Sequence, residues 1–389
     1  MKNIIKRNIK RLTRHACAVL IIIACILQSG CWNYVGLDQL GIVAGIALDK
    51  PDPNGAYCMT AEMISTDTGT PSEGIKVMHL EMQGDTIFTA VRNGKRRSSN
   101  KLYGGSIQTL IISNQLAKEE GIKTLLEQLY RDVEPRETVS VIISQEKSAC
   151  ELFFVESIDT KIASYELHET IVEDKDTTDS TVDIPLNMTY RLLSEEGCTL
   201  VLPVVHTVKN LGKLSNETNG IAYFKDDKLA GYLSAEQTAY FLFMIGKLES
   251  GAFSFYLGDN NPLPISANIS VSHSKRALRF ENGHLVFDLS IKLDTNIAEI
   301  KNQVDLENLD DRNALEGAIS RQIKENLIES FKNMQDTGID IFSLGHLLYE
   351  TDPKAWFKNK SSWDEIIRNA EFNPEIQTTI QSTGLIKNY

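Results

Sequence analysis

The sequence predicts an α+β fold, a three-domain arrangement of mixed sheets with covering helices behind an N-terminal export segment. Three observations carry this. From Gly105 to Ser144 a strand, a helix and a second strand follow one another, a succession that favours a mixed or parallel sheet with helices laid over it. Asn282-Gly283 stands between two long β-type stretches, Ile265 to Arg279 and Leu285 to Leu293, and Asn-Gly is the strongest short-range hairpin signal. Leu315, Ile319, Ile323, Leu327 and Phe331 recur at every fourth position, the apolar stripe of a long amphipathic helix. Asp310 and Asp311 at its start and Lys332 near its end suit the helix dipole.

The chain opens with six cations, Lys2, Lys6, Arg7, Lys10, Arg11 and Arg14, ahead of an unbroken apolar run from Ala16 to Leu27, with no acidic residue before Asp38. This is the layout of a secretory signal. A membrane-crossing helix needs about 20 apolar residues, so the run reads as an export signal rather than a permanent span. Leu27-Gln28-Ser29-Gly30-Cys31 then resembles the lipobox of bacterial lipoproteins. The resemblance implies cleavage between Gly30 and Cys31, a diacylglyceryl group on the Cys31 thiol and N-acylation of the new terminus. Two acyl chains anchor stably where one binds only marginally. No other cofactor is expected.

Removing the six cations of that segment takes the formal net charge from −12 to −18. So acidic a protein lacks the clustered Lys and Arg that phosphate contacts require, which excludes general nucleic-acid binding. The remaining length exceeds what one core supports and divides as 31–197, an N-terminal α/β domain, 198–260, a small β-β-α domain, and 261–389, a C-terminal α+β domain. If Cys31 is acylated, Cys58, Cys150 and Cys198 remain, an odd number that argues against a disulfide framework.

In order along the mature chain, Ile42 to Leu48 and Ala56 to Ser65 form a hairpin around Asp52-Pro53-Asn54-Gly55. Ile75 to Met82 is a strand, and Asp85 to Arg92 begins a helix. The cluster Asn93 to Lys101 is basic and reads as a solvated loop. Ile107 to Ile112 is a strand. Ser113 caps a helix whose face carries Ile122, Leu125, Leu126, Leu129, Tyr130 and Val133 and which Pro135 ends. Thr138 to Ser144 is a buried strand, and Ile158 to Ile171 is a helix that runs into an acidic, Thr-rich loop. Pro185 and Gly197 bracket a short helix, and Cys198 to Val208 is a strand. Asn219 to Leu233 makes two strands around Asp226-Asp227, with Ser234 capping the helix Ala235 to Leu248. Ile376 to Ser382 supplies a closing strand.

No HExxH, CxxC, GxSxG, GxGxxG or GxxxxGK[ST] pattern occurs, and the seven histidines are scattered singly. Nothing in the chain therefore nominates a catalytic or metal-binding residue.

Several separated stretches carry a family resemblance. Gly30-Cys31-Trp32 precedes the apolar strand Leu40 to Asp49. Lys101-Leu102-Tyr103 and Leu116 to Ile122 lead into an Arg-Asp-x-Glu-x-Arg signature at Arg131, Asp132, Glu134 and Arg136. Gly220 to Gly231 reads G-x-A-x-F-K-x-D-K-L-x-G. Asp340-Ile341-Phe342-Ser343-Leu344-Gly345 is followed by Pro353, Trp356 and Trp363. Together these resemble the Ger(x)C lipoproteins, the C subunits of nutrient germinant receptors in spore-forming bacteria. Gly105, where many members carry His, is a departure.

The resemblance implies a non-enzymatic, lipid-anchored subunit on the outer face of the inner spore membrane, partnered by the membrane-bound A and B subunits of a receptor. Within it Arg131, Asp132, Glu134 and Arg136 are expected to form an ion-pair network at a helix end and are the candidate partner contacts. Trp356 and Trp363 are expected in the core, and Gly220 and Gly231 at positions that need a bare backbone. The alternative is a solute-binding lipoprotein of a transporter, which requires two similar α/β lobes around a hinge; no repeated βα series supports it.

Overall fold

The computed structural model describes residues 12–21, 35–50, 55–65, 75–131, 136–257, 263–300, 306 and 308–382. Two units result, Met1–Leu40 and Gly41–Tyr389. The first contains a helical segment, α1 (12–21), and a 3₁₀ turn at Leu37–Gln39. Leu12, Val19, Leu20 and Ile21 are exposed on α1. No helix among the described residues is long and apolar enough to cross a membrane. Gly30 and Cys31 lie outside the described residues.

The large unit is built on a nine-stranded sheet. Its centre is parallel, β1 (Leu40–Asp49), β5 (Thr109–Ser113), β6 (Ser140–Ser144) and β7 (Val201–Asn210) lying side by side. Antiparallel strands extend it at both ends. On one side stand β2 (Tyr57–Ile64) and β3 (Val77–Gly84), with the short β4 (Lys101–Tyr103) also paired to β1. On the other side stand β8 (Lys213–Lys225) and β9 (Lys228–Leu233). The central strands read as near-continuous apolar runs because both faces are covered. Alternate residues sort to opposite layers. Leu110, Ile112, Val141 and Ile143 pack under α2 (Ile87–Gly94), α3 (Asn114–Glu119), α4 (Lys123–Arg131) and α6 (Leu186–Leu192). Ala47, Ile111, Ile142 and Val205 pack under the turn Ala149–Phe153 and α5 (Ala163–Thr177).

The second sheet has four strands, β10 (Ser250–Leu257), β11 (Leu263–Glu281), β12 (His284–Ile300) and β13 (Glu371–Ser382), in that order. Asn282 and Gly283 both take positive φ, 52° and 86°, the type I′ geometry that the Asn-Gly pair signals. β13 runs parallel to β12 and holds Pro374, which an edge strand tolerates. Across this sheet lies α8 (Leu309–Thr337), and its five stripe residues, Leu315 to Phe331, are each at most 3% exposed. α7 (Ala235–Ile245), closed by the Ser234–Gln237 capping box and left-handed Gly246, belongs to the same apolar cluster, which also takes in Val201, Ile221 and Tyr223 of the first sheet.

The structure departs from expectation in several places. β7, β8 and β9, expected in a separate middle segment, complete the first sheet, whereas β10 of the same segment belongs to the second. The helix expected behind Ser113 is two helices. Ser113 caps α3, but Gly121 turns the chain at φ +85°, and α4 restarts with Ile122 N–H donating to the Asp227 carbonyl at 2.9 Å. α5 starts later and runs further than its periodicity suggested, because its first N–H groups donate to the buried Glu62 carboxylate of β2 at 3.0 and 2.8 Å. β10 was not expected at all. Cys58, Cys150 and Cys198 are free thiols, each half-buried.

The α8 stripe yields a direct test. Ile323→Ala should cost about 2–5 kcal/mol, since it empties a fully enclosed site, whereas Ile328→Ala on the exposed side of the same helix should stay within about 0.5 kcal/mol. Urea unfolding of both variants measures the difference.

Candidate functional site

The final third of the chain turns on Asp340, which is buried, at 8% exposure. Its carboxylate accepts hydrogen bonds from the backbone N–H of Leu344 (2.9 Å) and Gly345 (2.6 Å) and from the Trp363 indole (2.9 Å). Burial pushes this carboxyl above the ordinary carboxylate range, and the three donors, with the Arg276 guanidinium, pull against that rise. The bonds to Leu344 and Gly345 fix the start of α9 (Leu344–Thr351), where Ser343 takes the left-handed conformation. α10 (Pro353–Asn359) and α11 (Trp363–Arg368) follow and bring Trp356 against Trp363 edge to face, with ring centroids 5.3 Å apart. Gly345 fits here because a Cβ would lie 2.7 Å from the Trp356 ring.

Against this cluster lies the loop that follows α6. Thr199 donates through its N–H to Ser343 Oγ (3.0 Å) and through its hydroxyl to the Asp340 carbonyl (2.7 Å). Glu196 accepts from the Trp356 indole at 3.0 Å and pairs with Lys360 at 3.2 Å. These two contacts hold its carboxyl below the usual 4.5. Gly197, at φ +72°, lets the loop approach α9, and its carbonyl accepts the His346 N–H at 3.0 Å. Lys225 of the β8–β9 hairpin pairs with Asp364 of α11 at 2.7 Å. Between these parts opens a polar groove of about 400 Å³, with Trp356, Trp363, Phe224 and Lys225 in its walls. Three stretches far apart in sequence, around 196, 225 and 340–364, converge on it.

Cys198 lines the groove, and burial, with Glu195 beside it, pushes the metal-free thiol up to about 12. Glu195, Cys198 and His346 place one ligand atom each within 4.8 Å of one another at the rim. Sequence reading missed this grouping, and the available signals were Glu195 three before Cys198 and Glu350 four after His346.

Of the site residues expected from sequence, Asp132 and Glu134 lie outside the described residues, as do Gly30 and Cys31. Arg131 ends α4 and Arg136 follows at the surface, both exposed and both remote from the groove in sequence. Trp356 and Trp363 are in the core as expected, 5% and 7% exposed. Gly220 and Gly231 serve close packing, since a Cβ at either would lie within 2.2 Å of Leu233 O or Tyr223 Oη.

Two family models match, the spore germination protein N-terminal domain over residues 33–207 and the spore germination B3/GerAC-like C-terminal domain over 219–384. The chain belongs to the Ger(x)C family of spore germination proteins. Among its Ger(x)C relatives, spore germination protein KC of Bacillus subtilis (strain 168) is 22% identical, with 95% of this chain and 96% of the relative aligned. Spore germination protein B3 of the same organism is 22% identical over 92% and 95%. The fold is that of the crystal structure of the GerBC protein, with a TM-score of 0.54 at 18% identity, covering 89% of this chain and 99% of that one. The two Ger(x)C segments meet inside the nine-stranded sheet, where β7, the last strand of the first, pairs with β8 of the second.

Two tests address the groove. Gly197→Ala should cost about 1–3 kcal/mol in urea unfolding, because Ala resists the left-handed backbone and its Cβ would meet the Gly345 carbonyl carbon at 2.4 Å. For Glu196, a carboxyl whose folded pKa is lowered stabilises above its unfolded value and loses that contribution as pH falls through the lowered one. The stability difference between the natural chain and Glu196→Gln in urea unfolding, in which the titration of Asp340 beside Trp363 cancels, should therefore hold steady from about pH 8 to 5 and narrow only below about pH 4.5. A difference that narrows already above pH 5, or no difference at any pH, would count against the Glu196–Trp356 contact.

Proposed function

We propose that this protein is the C subunit of a spore nutrient germinant receptor, tethered by a diacylglyceryl group on Cys31 to the outer face of the inner spore membrane. There it serves as a non-catalytic scaffold or signal-transmitting piece beside the membrane-bound A and B subunits. The observation that carries this reading is the match of spore germination proteins along nearly the entire chain and nearly their own entire lengths. The body's architecture supports it. A single compact unit from Gly41 onward, whose buried Asp340 carboxylate is closed by structural hydrogen bonds, suits a rigid partner in an assembly. The basic segment of residues 2–14, the short apolar run and Gly30-Cys31 support the anchor. Arg131, Asp132, Glu134 and Arg136 are the proposed partner contacts, the two exposed arginines being suited to carboxylates of a neighbouring subunit.

The anchor is tested by Cys31→Ala in spores. The expected outcome is loss of the protein from the membrane fraction and loss of nutrient-triggered germination, with non-nutrient germination intact. Unchanged anchoring and germination would overturn the assignment. The contact is tested by Arg131→Glu with Arg136→Glu. Surface reversals of this kind should move stability by no more than about 0.5 kcal/mol, yet nutrient germination and co-purification of the other subunits should both fall. Normal co-purification would remove these residues from the interface.

A further inference from the structure

The rim of the groove holds a set of side chains that the reading above does not use. Glu195 and Cys198 lie on the loop after α6, and His346 and Glu350 stand at i and i+4 on one face of α9. Cys198 Sγ is 3.7 Å from Glu195 Oε2, and His346 Nε2 is 3.5 Å from Glu350 Oε1. The ligand atoms of Glu195, Cys198 and His346 all fall within 4.8 Å of one another.

The surroundings orient these groups as the outer shell of a metal site does. His346 Nδ1 is 3.0 Å from the Glu196 carbonyl oxygen. A carbonyl only accepts, so Nδ1 carries a proton, and Nε2 is the ring atom left to meet an ion. Arg191 Nε holds Glu195 Oε1 at 3.5 Å, leaving Oε2 turned toward the thiol. Left-handed Gly197 and the His346 N–H bond to its carbonyl fix the distance between loop and helix, so the donor set is held before any ion arrives.

We propose that Glu195, Cys198 and His346 bind one divalent transition ion of the zinc class, which clips the loop after α6 to α9. One thiolate, one imidazole and one carboxylate oxygen are donors that tetrahedral zinc accepts with a water in the fourth position, whereas calcium and magnesium take oxygen alone. Binding forms the metal–sulfur bond as the thiol proton leaves to solvent, with no change of oxidation state. His346 and Glu350 are partly solvent-exposed, which provides the ion's way in. Because the ligands come from the segment between α6 and β7 and from α9, the ion joins the end of the N-terminal family segment to the C-terminal one.

The test uses the full chain in detergent, carrying a tag without histidine and stripped with a chelator. Cobalt(II) titration should give a near-ultraviolet thiolate-to-metal band saturating at one ion per chain, zinc should displace it, and zinc alone should raise the melting temperature. Cys198→Ser should abolish the band. Glu195→Gln keeps the size of the side chain and should leave metal-free melting nearly unchanged while weakening zinc at least about tenfold. No cobalt band in the natural chain, or zinc bound by either variant as tightly as by the natural chain, would overturn the proposal.

Discussion

Everything in the last third of the chain depends on the burial of one carboxylate. Taking Asp340 out of water costs several kcal/mol unless its oxygens are matched by donors, and the turn into α9 together with α11 supplies them. The backbone must turn at Ser343 so that Leu344 and Gly345 present their N–H groups, and α11 must bring the Trp363 indole to the other side. Once that is satisfied, α9 starts where it does, Gly345 faces Trp356, and Trp356 turns its own N–H outward to Glu196. The groove is a consequence of this packing. Replacing Asp340 by a non-accepting residue would strand three donors together, which is why the whole segment is held as one piece.

The same device recurs throughout the fold. Asp49 accepts from the Ala149 N–H at 2.8 Å and the Ser148 hydroxyl at 2.9 Å, where the Ala149–Phe153 turn begins. Glu62 receives the first two N–H groups of α5, and Asp227 meets the start of α4 through its backbone carbonyl and Oδ2. Each of these places negative charge at the positive end of a helix or turn from a residue distant in sequence. Glu120 shows a related use in a tie between strands. Burial would raise its carboxyl, but hydrogen bonds from Lys50 and Tyr57 overcome this and lower it, while the Tyr57 hydroxyl, partly desolvated and facing Glu120, is pushed up to about 12. A strongly acidic composition thus supplies the joints of the fold as well as its surface.

Long-range capping also explains what could be read from sequence. The α8 stripe, the Asn282-Gly283 hairpin, the Ser234 capping box and the strands around Ile111 and Ile142 were all evident, because each is specified by neighbours within a few residues. The break between α3 and α4 was not, since the partner that restarts α4 is Asp227, and neither was the start of α5, whose cap Glu62 lies about a hundred positions away. The motif Asp340 to Gly345 and the two tryptophans stood out as residues. Their meeting with Glu196, Gly197 and Lys225 did not, because no local pattern encodes a contact between stretches so far apart.

That convergence bears on how the molecule can act. A binding protein that closes on a solute needs lobes joined by a thin hinge, so that closure disturbs few contacts. Here α7 and α8 pack with Val201, Ile221 and Tyr223 of the first sheet in the same apolar cluster as Phe287 and Leu289 of the second. Rotating one sheet against the other would open a close-packed interior, at a cost of several kcal/mol for even a few exposed side chains. The polar seam is tied as well, the loop of residues 193–199 being held over α9 through Thr199 to Ser343 and Asp340, Gly197 to His346 and Glu196 to Trp356. A body tied in this way resists internal bending, and Glu195, Cys198 and His346 meet where one further tie would act across that seam.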